Sequence, residues 1–275
     1  MLRSLVLLLV TLVFAAPLHA EGFITRLLHK PVPGGVAVLE LGEGANAPRV
    51  TYNDRPVLVI REDGKRWIAI IGIPLDVTPG SELAQVDGEP RSFEVNPREY
   101  RAQHITLKNQ RQVDPNPDDL ERIERELAKQ TEAYRNFRPD QPSNLLFDKP
   151  VEGPLSSPFG LRRFFNGEPR NPHSGLDFAV PAGTPVKAPA DGRITLVDNL
   201  FFNGKTVFVD HGQGLVSMFC HLSSIAVAEG DTVKRGEVIG KVGSTGRATG
   251  PHLHWNVSLN DARVDPSIFI GEYRP

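Results

Sequence analysis

Residues 193–221 read RITLVDNLFFNGKTVFVDHGQGLVSMFCH, and this stretch decides the fold. Its β-branched and aromatic residues fall into three short runs, Arg193–Val197, Thr206–Val209 and Leu215–His221. The turn pairs Asn203–Gly204 and His211–Gly212 separate them, and Asp191–Gly192 precedes the first. Short apolar runs punctuated by Gly turns, with no 3.6-residue period, predict successive β-strands. Leu253–Leu259 adds another, so residues 145–275 read as an all-β unit of ordinary single-domain size.

Upstream, residues 21–113 carry further β-prone runs at Val36–Leu41, Val57–Ile60, Trp67–Ile71, Ser92–Val95 and His104–Leu107. Turns rich in Gly, Pro and Asp separate them, which predicts a small antiparallel β-sandwich. His29 and His104 stand alone there and read as ordinary strand or loop residues. Between the two regions, residues 114–144 predict a helix and a linker. Asn116 suits the N-cap, Pro117 the first helical position, and Asp118, Asp119 and Glu121 the positive end of the dipole. Leu120, Ile123, Leu127 and Tyr134 recur at helical spacing, which predicts an apolar stripe packed on a neighbouring domain. Pro139 and Pro142 end the helix.

Composition narrows the classes. The chain has 275 residues, 40% hydrophobic and 23% charged, with 25 Gly and 24 Pro spread among apolar runs. That suits a folded β-rich protein and not a disordered tail. Thirty-one basic against 33 acidic residues leave no basic stripe for a nucleic-acid backbone, so no nucleic-acid partner is expected. A single cysteine excludes an internal disulfide framework and a Cys-rich metal site. Residues 1–20 open on Met1–Arg3 with its one positive charge, continue through an apolar core and end on Ala20. This predicts a secretory signal peptide, with an uncleaved anchor as the alternative. No later segment is apolar for long enough to span a membrane, so an exported protein is expected, periplasmic in the first place with a secreted one as the alternative.

Five of the eight histidines lie between residues 173 and 254. His173 and Asp177 form H-x-x-x-D, and His252 and His254 form H-x-H after a Gly-rich turn, residues 243–250. Successive strand residues alternate faces, so His252 and His254 share one side. With a third histidine and a carboxylate, such a pair supplies an N,N,O set for zinc and leaves a fourth position for water. Spacing alone does not bring residue 173 to residue 254.

Four ordered segments carry a resemblance: Ser156–Arg162 (SSPFGLR), His173–Asp177 (HSGLD), Phe219–Leu222 (FCHL) and Gly246–His254 (GRATGPHLH). Over about residues 147–270 the chain resembles lysostaphin-type (LytM-domain) zinc metallopeptidases. The amino-terminal region is similar to the β-domain that precedes the peptidase in some bacterial members. The resemblance implies a mainly β chain: an amino-terminal β-sandwich, a linking helix and a carboxy-terminal antiparallel β catalytic domain with an open groove. It implies His173, Asp177 and His254 as ligands of one Zn2+, and His221 and His252 as catalytic histidines. It implies a zinc metalloendopeptidase that hydrolyses peptide cross-links of bacterial peptidoglycan through a metal-activated water. A D-alanyl–diaminopimelate link is the first expectation for the bond. A non-catalytic regulator of another wall hydrolase, acting through a regulatory protein partner, is the alternative. A carrier module like biotinyl domains is disfavoured, since no modified-lysine hairpin tip is present.

The family often has tyrosine where this chain has Phe219. Strand alternation places Ser217, Phe219 and His221 on one face, with Val216, Met218 and Cys220 on the other. Phe219 is therefore expected to reach the groove without a hydroxyl, and Cys220 to be a small core residue. Leu253 and Trp255 are expected to point into the core, and His211 to be structural. Arg162 and Arg163 are candidates to face substrate carboxylates.

Overall fold

The computed structural model describes residues 22–107, 111 and 114–271. The expected signal peptide lies outside them. The protein is mostly β, with helices at Phe23–Leu28 and Pro117–Arg135.

In the amino-terminal region a three-stranded antiparallel sheet runs in the order Val36–Glu43, Arg66–Gly72, Leu58–Glu62. A four-stranded sheet runs in the order Arg55–Pro56, Val50–Tyr52, Gly80–Val86, Glu89–Val95. Tyr52, Trp67, Ala69, Ile71, Phe93 and Val95 belong to the core that these strands share. The sandwich is present, and its smaller sheet has both faces covered. Ile68 and Ile70 turn the opposite way and join the main core with Trp255 and Val257. A strand apolar on both sides is what the run Trp67–Ile71 encodes. Gly80–Val86 escapes a search for apolar runs because only Ala84 on it is buried.

The carboxy-terminal region is built on a ten-stranded sheet. Its spine is Gly192–Leu200, Gly204–Gly212, Leu215–Ile225, Leu253–Leu259, Leu176–Phe178 and Leu155–Ser157, each bonded to the next. Tight hairpins join the first three, the second through Gln213 and Gly214, both at positive φ. Val207, Val209, Phe219, Leu253 and Trp255 face the main core. Phe208, Val216, Met218 and Cys220 face the other way, against Ala133 and Tyr134 of the long helix.

The two regions share backbone as well as core. Ala102–Ile105 pairs in parallel with Arg162–Phe165, which also pairs with Glu168–Pro169. The Asn260 side chain accepts from Gly72 N at 2.7 Å and donates to Gly72 O at 3.0 Å. Val59 N donates to Gln213 Oε1 at 2.9 Å.

The long helix begins as the sequence predicts: Asn116 and Asp119 form a reciprocal capping box, with Pro117 in the first turn. The apolar stripe behaves differently from expectation. Tyr134 is buried, whereas Leu120 and Leu127 are 54% and 55% exposed. Polar contacts fix the rest of the helix: Lys129 pairs with Asp198 at 2.7 Å, and Glu126 Oε2 accepts from Phe201 N at 2.6 Å. These contacts hold the helix beside the sheet face that carries Cys220 and His254.

Candidate metal centre

Asp177 lies directly opposite His254 on adjacent antiparallel strands, and Cys220 lies opposite His254 on its other side. Directly opposed residues share a sheet face, so one row of side chains crosses three strands. His173 reaches the same place from the loop before Leu176. The sequence Ser174–Gly175 lets that loop pass close: a Cβ on Gly175 would stand 2.4 Å from Trp255 O and 2.8 Å from His254 Cε1.

His173 Nε2 stands 3.0 Å from Asp177 Oδ1 and 3.1 Å from His254 Nδ1. His254 Nδ1 stands 2.8 Å from Asp177 Oδ1. Tetrahedral zinc with bonds near 2.0–2.1 Å separates its ligand atoms by roughly 3.3 Å, so this triangle is slightly contracted and suited to such an ion. The donor set, two imidazoles and a carboxylate, matches zinc chemistry as well. His173 Nδ1 donates to Pro158 O at 2.7 Å. A carbonyl oxygen only accepts, so the lone pair of the neutral ring sits on Nε2, facing the triangle. Arg163 Nη2 donates to the outer oxygen of Asp177, Oδ2, at 3.1 Å.

The electrostatics follow from burial. Desolvation raises the Asp177 carboxyl, but His173 and His254 outweigh it and hold the group well below the ordinary carboxylate range. Burial pushes His254 down to about 4 against the pull of Asp177. Burial, followed by the neighbouring His252 and His254, pushes His221 down to about 3.

His221 and His252 flank the triangle, with ring centroids 4.7 Å apart, and His221 is 6.2 Å from the His254 ring. His221 Nδ1 donates to Thr245 O at 2.8 Å, and His252 Nδ1 donates to Gly250 O at 2.9 Å. In its neutral form each ring then carries its lone pair on Nε2.

One expectation from strand alternation is overturned. His221 has φ of +60°, and this left-handed residue breaks the two-residue period. Phe219, fully buried, faces the main core with Trp255. Met218 and Cys220 lie on the groove side with His221. Phe219 does not reach the groove, so its missing hydroxyl removes nothing from the site. Cys220 is buried as expected, and burial pushes its thiol up to about 12, far from nucleophilic.

The site opens into a groove of about 1100 Å³. The long helix contributes Ile123, Leu127 and Gln130 to its lining. Arg163, Arg170 and Arg247 also line it. Of these, only Arg163 was singled out in the sequence; Arg247 sits in the Gly-rich turn, whose proximity to the H-x-H pair was the available signal. Arg162 instead donates to Tyr100 O at 3.1 Å and is exposed. His211 is buried between Asp191 O at 2.8 Å and Ser217 Oγ at 2.9 Å, a structural role. His29 Nδ1 accepts from Val38 N, and His104 stacks on Phe164.

Comparison with known proteins bears on this geometry. Residues 171–266 match the model of peptidase family M23, and residues 29–98 that of the M23 N-terminal domain. The DD-carboxypeptidase/endopeptidase Mpg of Neisseria meningitidis is 46% identical over 112 residues, 41% of this chain and 26% of that protein. The peptidoglycan DD-endopeptidase ShyA of Vibrio cholerae is 43% identical over 112 residues, 40% of this chain and 26% of that protein. The chain thus spans about a quarter of the length of these curated relatives. A crystal structure attributed to a peptidase M23 from Pseudomonas aeruginosa is 58% identical and covers 91% of this chain and all of its own, with a TM-score of 0.79. By that near-complete match and the two family models together, the protein belongs to peptidase family M23.

Proposed function

We propose that the protein is a zinc-dependent endopeptidase that hydrolyses peptide cross-links of bacterial peptidoglycan, outside the cytoplasm. The carrying observation is the triangle of His173 Nε2, Asp177 Oδ1 and His254 Nδ1, 2.8–3.1 Å on a side, flanked by two histidines whose Nδ1 atoms are tied to carbonyl oxygens. The relatives' names, DD-endopeptidase among them, supply the substrate class. Among the described residues no helix is long and apolar enough to cross a membrane.

His173, Asp177 and His254 would hold the ion, which when bound would supply Lewis-acid polarisation of the scissile carbonyl and a water of lowered pKa. Arg163 orients Asp177 through Oδ2. His252 Nε2 accepts a proton from the attacking water. His221, neutral and already donating from Nδ1, starts as an acceptor too. The proton that His252 takes from the water passes by way of His221 Nε2 to the leaving amine, so the part of His221 is proton transfer and not resting stabilisation of an oxyanion. The bond expected to break is that between D-alanine and the side-chain nitrogen of diaminopimelate.

Mass spectrometry of muropeptides incubated with the zinc-loaded protein, with and without chelator, tests this reading. The expected result is conversion of cross-linked dimers to monomers, abolished by chelator and by His254→Ala. A His254→Ala protein that still cleaves, or a wild type that leaves every dimer intact, overturns it. A non-catalytic regulator would keep its effect in His254→Ala.

A further inference from the structure

His221 sits in a bulge of its strand. Phe219 pairs with Val207 and Leu222 with Lys205, so Cys220 and His221 together stand against the single residue Thr206. A bulge of this kind bends its strand and re-aims a side chain. His221 takes a φ of +60°, and its N–H leaves the ladder to donate to Asn203 O at 2.8 Å.

Thr245 closes the ladder beside that bulge. Its Oγ1 accepts from Lys205 N at 2.9 Å and donates to Leu222 O at 2.9 Å. Lys205 and Leu222 are the strand pair next to His221, so the hydroxyl bridges a donor and an acceptor of the two strands. The main chain of the same residue holds the imidazole, since Thr245 O accepts from His221 Nδ1 at 2.8 Å. The hairpin makes room for it: Gly204 has a φ of +64°, and a Cβ there would stand 2.3 Å from Thr245 Oγ1. Arg247 N donates to Phe202 O at 2.7 Å, and His252 N donates to Gly243 O at 3.2 Å. The turn of residues 243–250 is thereby fastened to the hairpin and to the strand of His252, and it links the two histidines that flank the triangle. Thr245 itself is half-buried and does not line the groove.

We propose that Thr245 is a positioning residue: its hydroxyl locks the bulge, and its carbonyl holds the His221 ring with Nε2 toward the groove. The inference rests on the endopeptidase reading and names a residue on which proton transfer by His221 depends. A carbonyl oxygen only accepts, so the bond to Thr245 O keeps the proton of the neutral ring on Nδ1 and the lone pair on Nε2. Without the hydroxyl the carbonyl is no longer pinned, and the ring is free to turn and exchange tautomers. Misplacing a reacting group by about 1 Å costs on the order of 100-fold in rate. The metal ligands are tied elsewhere, to Pro158, to Arg163 and to one another, so zinc binding should not change.

Thr245→Val keeps the shape and removes the hydroxyl, and Thr245→Ser keeps the hydroxyl. Both are compared with the wild type as full zinc-loaded chains acting on cross-linked muropeptide dimers. Thr245→Val is expected to lower kcat about 10- to 100-fold with KM within about threefold of the wild type. Zinc affinity, read by competition with a chromophoric chelator, should stay within about threefold. Thr245→Ser should recover kcat to within about threefold of the wild type. In NMR spectra of protein with isotope-labelled histidine, the His221 ring should be the Nδ1–H tautomer in the wild type and Thr245→Ser, and a mixture in Thr245→Val. A valine variant whose kcat stays within about threefold of the wild type overturns the proposal. So does one whose lost rate is matched by lost zinc, one that keeps the Nδ1–H tautomer, or a serine variant as slow as the valine. If Thr245→Val does not fold, Thr245→Ala takes its place, and failure of both to fold overturns the proposal in favour of a purely structural threonine. If the wild type leaves the dimers intact, the endopeptidase reading fails and the tautomer decides alone: Nδ1–H kept in Thr245→Val refutes the positioning role, and its loss supports it.

Discussion

Asp177 and His254 face each other across two antiparallel strands, with Oδ1 2.8 Å from Nδ1, while the second oxygen of Asp177 is tied to Arg163 at 3.1 Å. The cross-strand register sets the first distance and the ion pair sets the rotation of the carboxylate. Geometry at this site is therefore shared between a ligand pair in the main sheet and an arginine in the strand that bonds Ala102–Ile105.

Arg163→Gln removes the ion pair and leaves the triangle's own atoms in place. Groups that orient metal ligands typically contribute about 10- to 100-fold in metal affinity, and a loss of that size is expected here. Competition with a chromophoric chelator measures it. A zinc affinity equal to that of the wild type would show that the register alone positions Asp177.

His211 predicts a pH dependence of stability. Burial lowers it from 6.5 to about 4, while the same ring in the unfolded chain titrates near its ordinary value. Between those values the unfolded chain binds a proton that the native state refuses, so stability rises with pH across the window. The contribution is complete above about pH 6.5 and is lost as pH falls toward 4, on the order of 3 kcal/mol in all. His221 and His254 are lowered in the same direction, so the test is a difference. Urea denaturation of His211→Gln from pH 4 to 7 should give a shallower slope than the wild type. Equal slopes would mean that His211 does not hold its neutral form in the native state.

Asn260→Ala leaves Gly72 N–H and C=O without the partners at 2.7 Å and 3.0 Å, and it puts alanine at a φ of +41°. Two unpaired backbone groups in a buried seam and a strained residue together should destabilise by about 2–4 kcal/mol. Chemical denaturation reads this directly. A change under about 0.5 kcal/mol would mean that the seam between the amino- and carboxy-terminal strands re-forms its hydrogen bonds another way.

The succession of strands and the shared side of the H-x-H pair were legible because each is written locally, whereas the meeting of residues 173 and 254 was implied only by the family resemblance. Apolar runs and Gly turns mark Gly204–Gly212 and Leu215–Ile225, and H-x-H marks a shared face for His252 and His254. What was not legible depends on partners far away in the chain. Ile68 and Ile70 face a second core only because Trp255 and Val257 come to meet them. The exposure of Leu120 and Leu127 follows from where Lys129 and Glu126 find their bonds. Arg247 becomes part of the groove through Phe165 and Phe202, residues with no motif of their own.

The inversion at His221 yields the sharpest structural prediction. Strand period places Phe219 and His221 together, yet the φ of +60° at His221 sends its ring to the groove while Phe219 stays in the core, opposite Val207 and Trp255. A left-handed conformation at a non-glycine residue is uncommon and costs of order 1–3 kcal/mol unless its surroundings enforce it. His221 N donates to Asn203 O at 2.8 Å and Nδ1 to Thr245 O, which supplies that enforcement. Phe219→Tyr should therefore bury a hydroxyl in a packed apolar core, lowering stability by about 1–3 kcal/mol with no gain in turnover. Thermal denaturation and kcat on a cross-linked peptide check both halves. A tyrosine that raised kcat while leaving Tm unchanged would put residue 219 in the groove and restore the simple alternation that the backbone at His221 breaks.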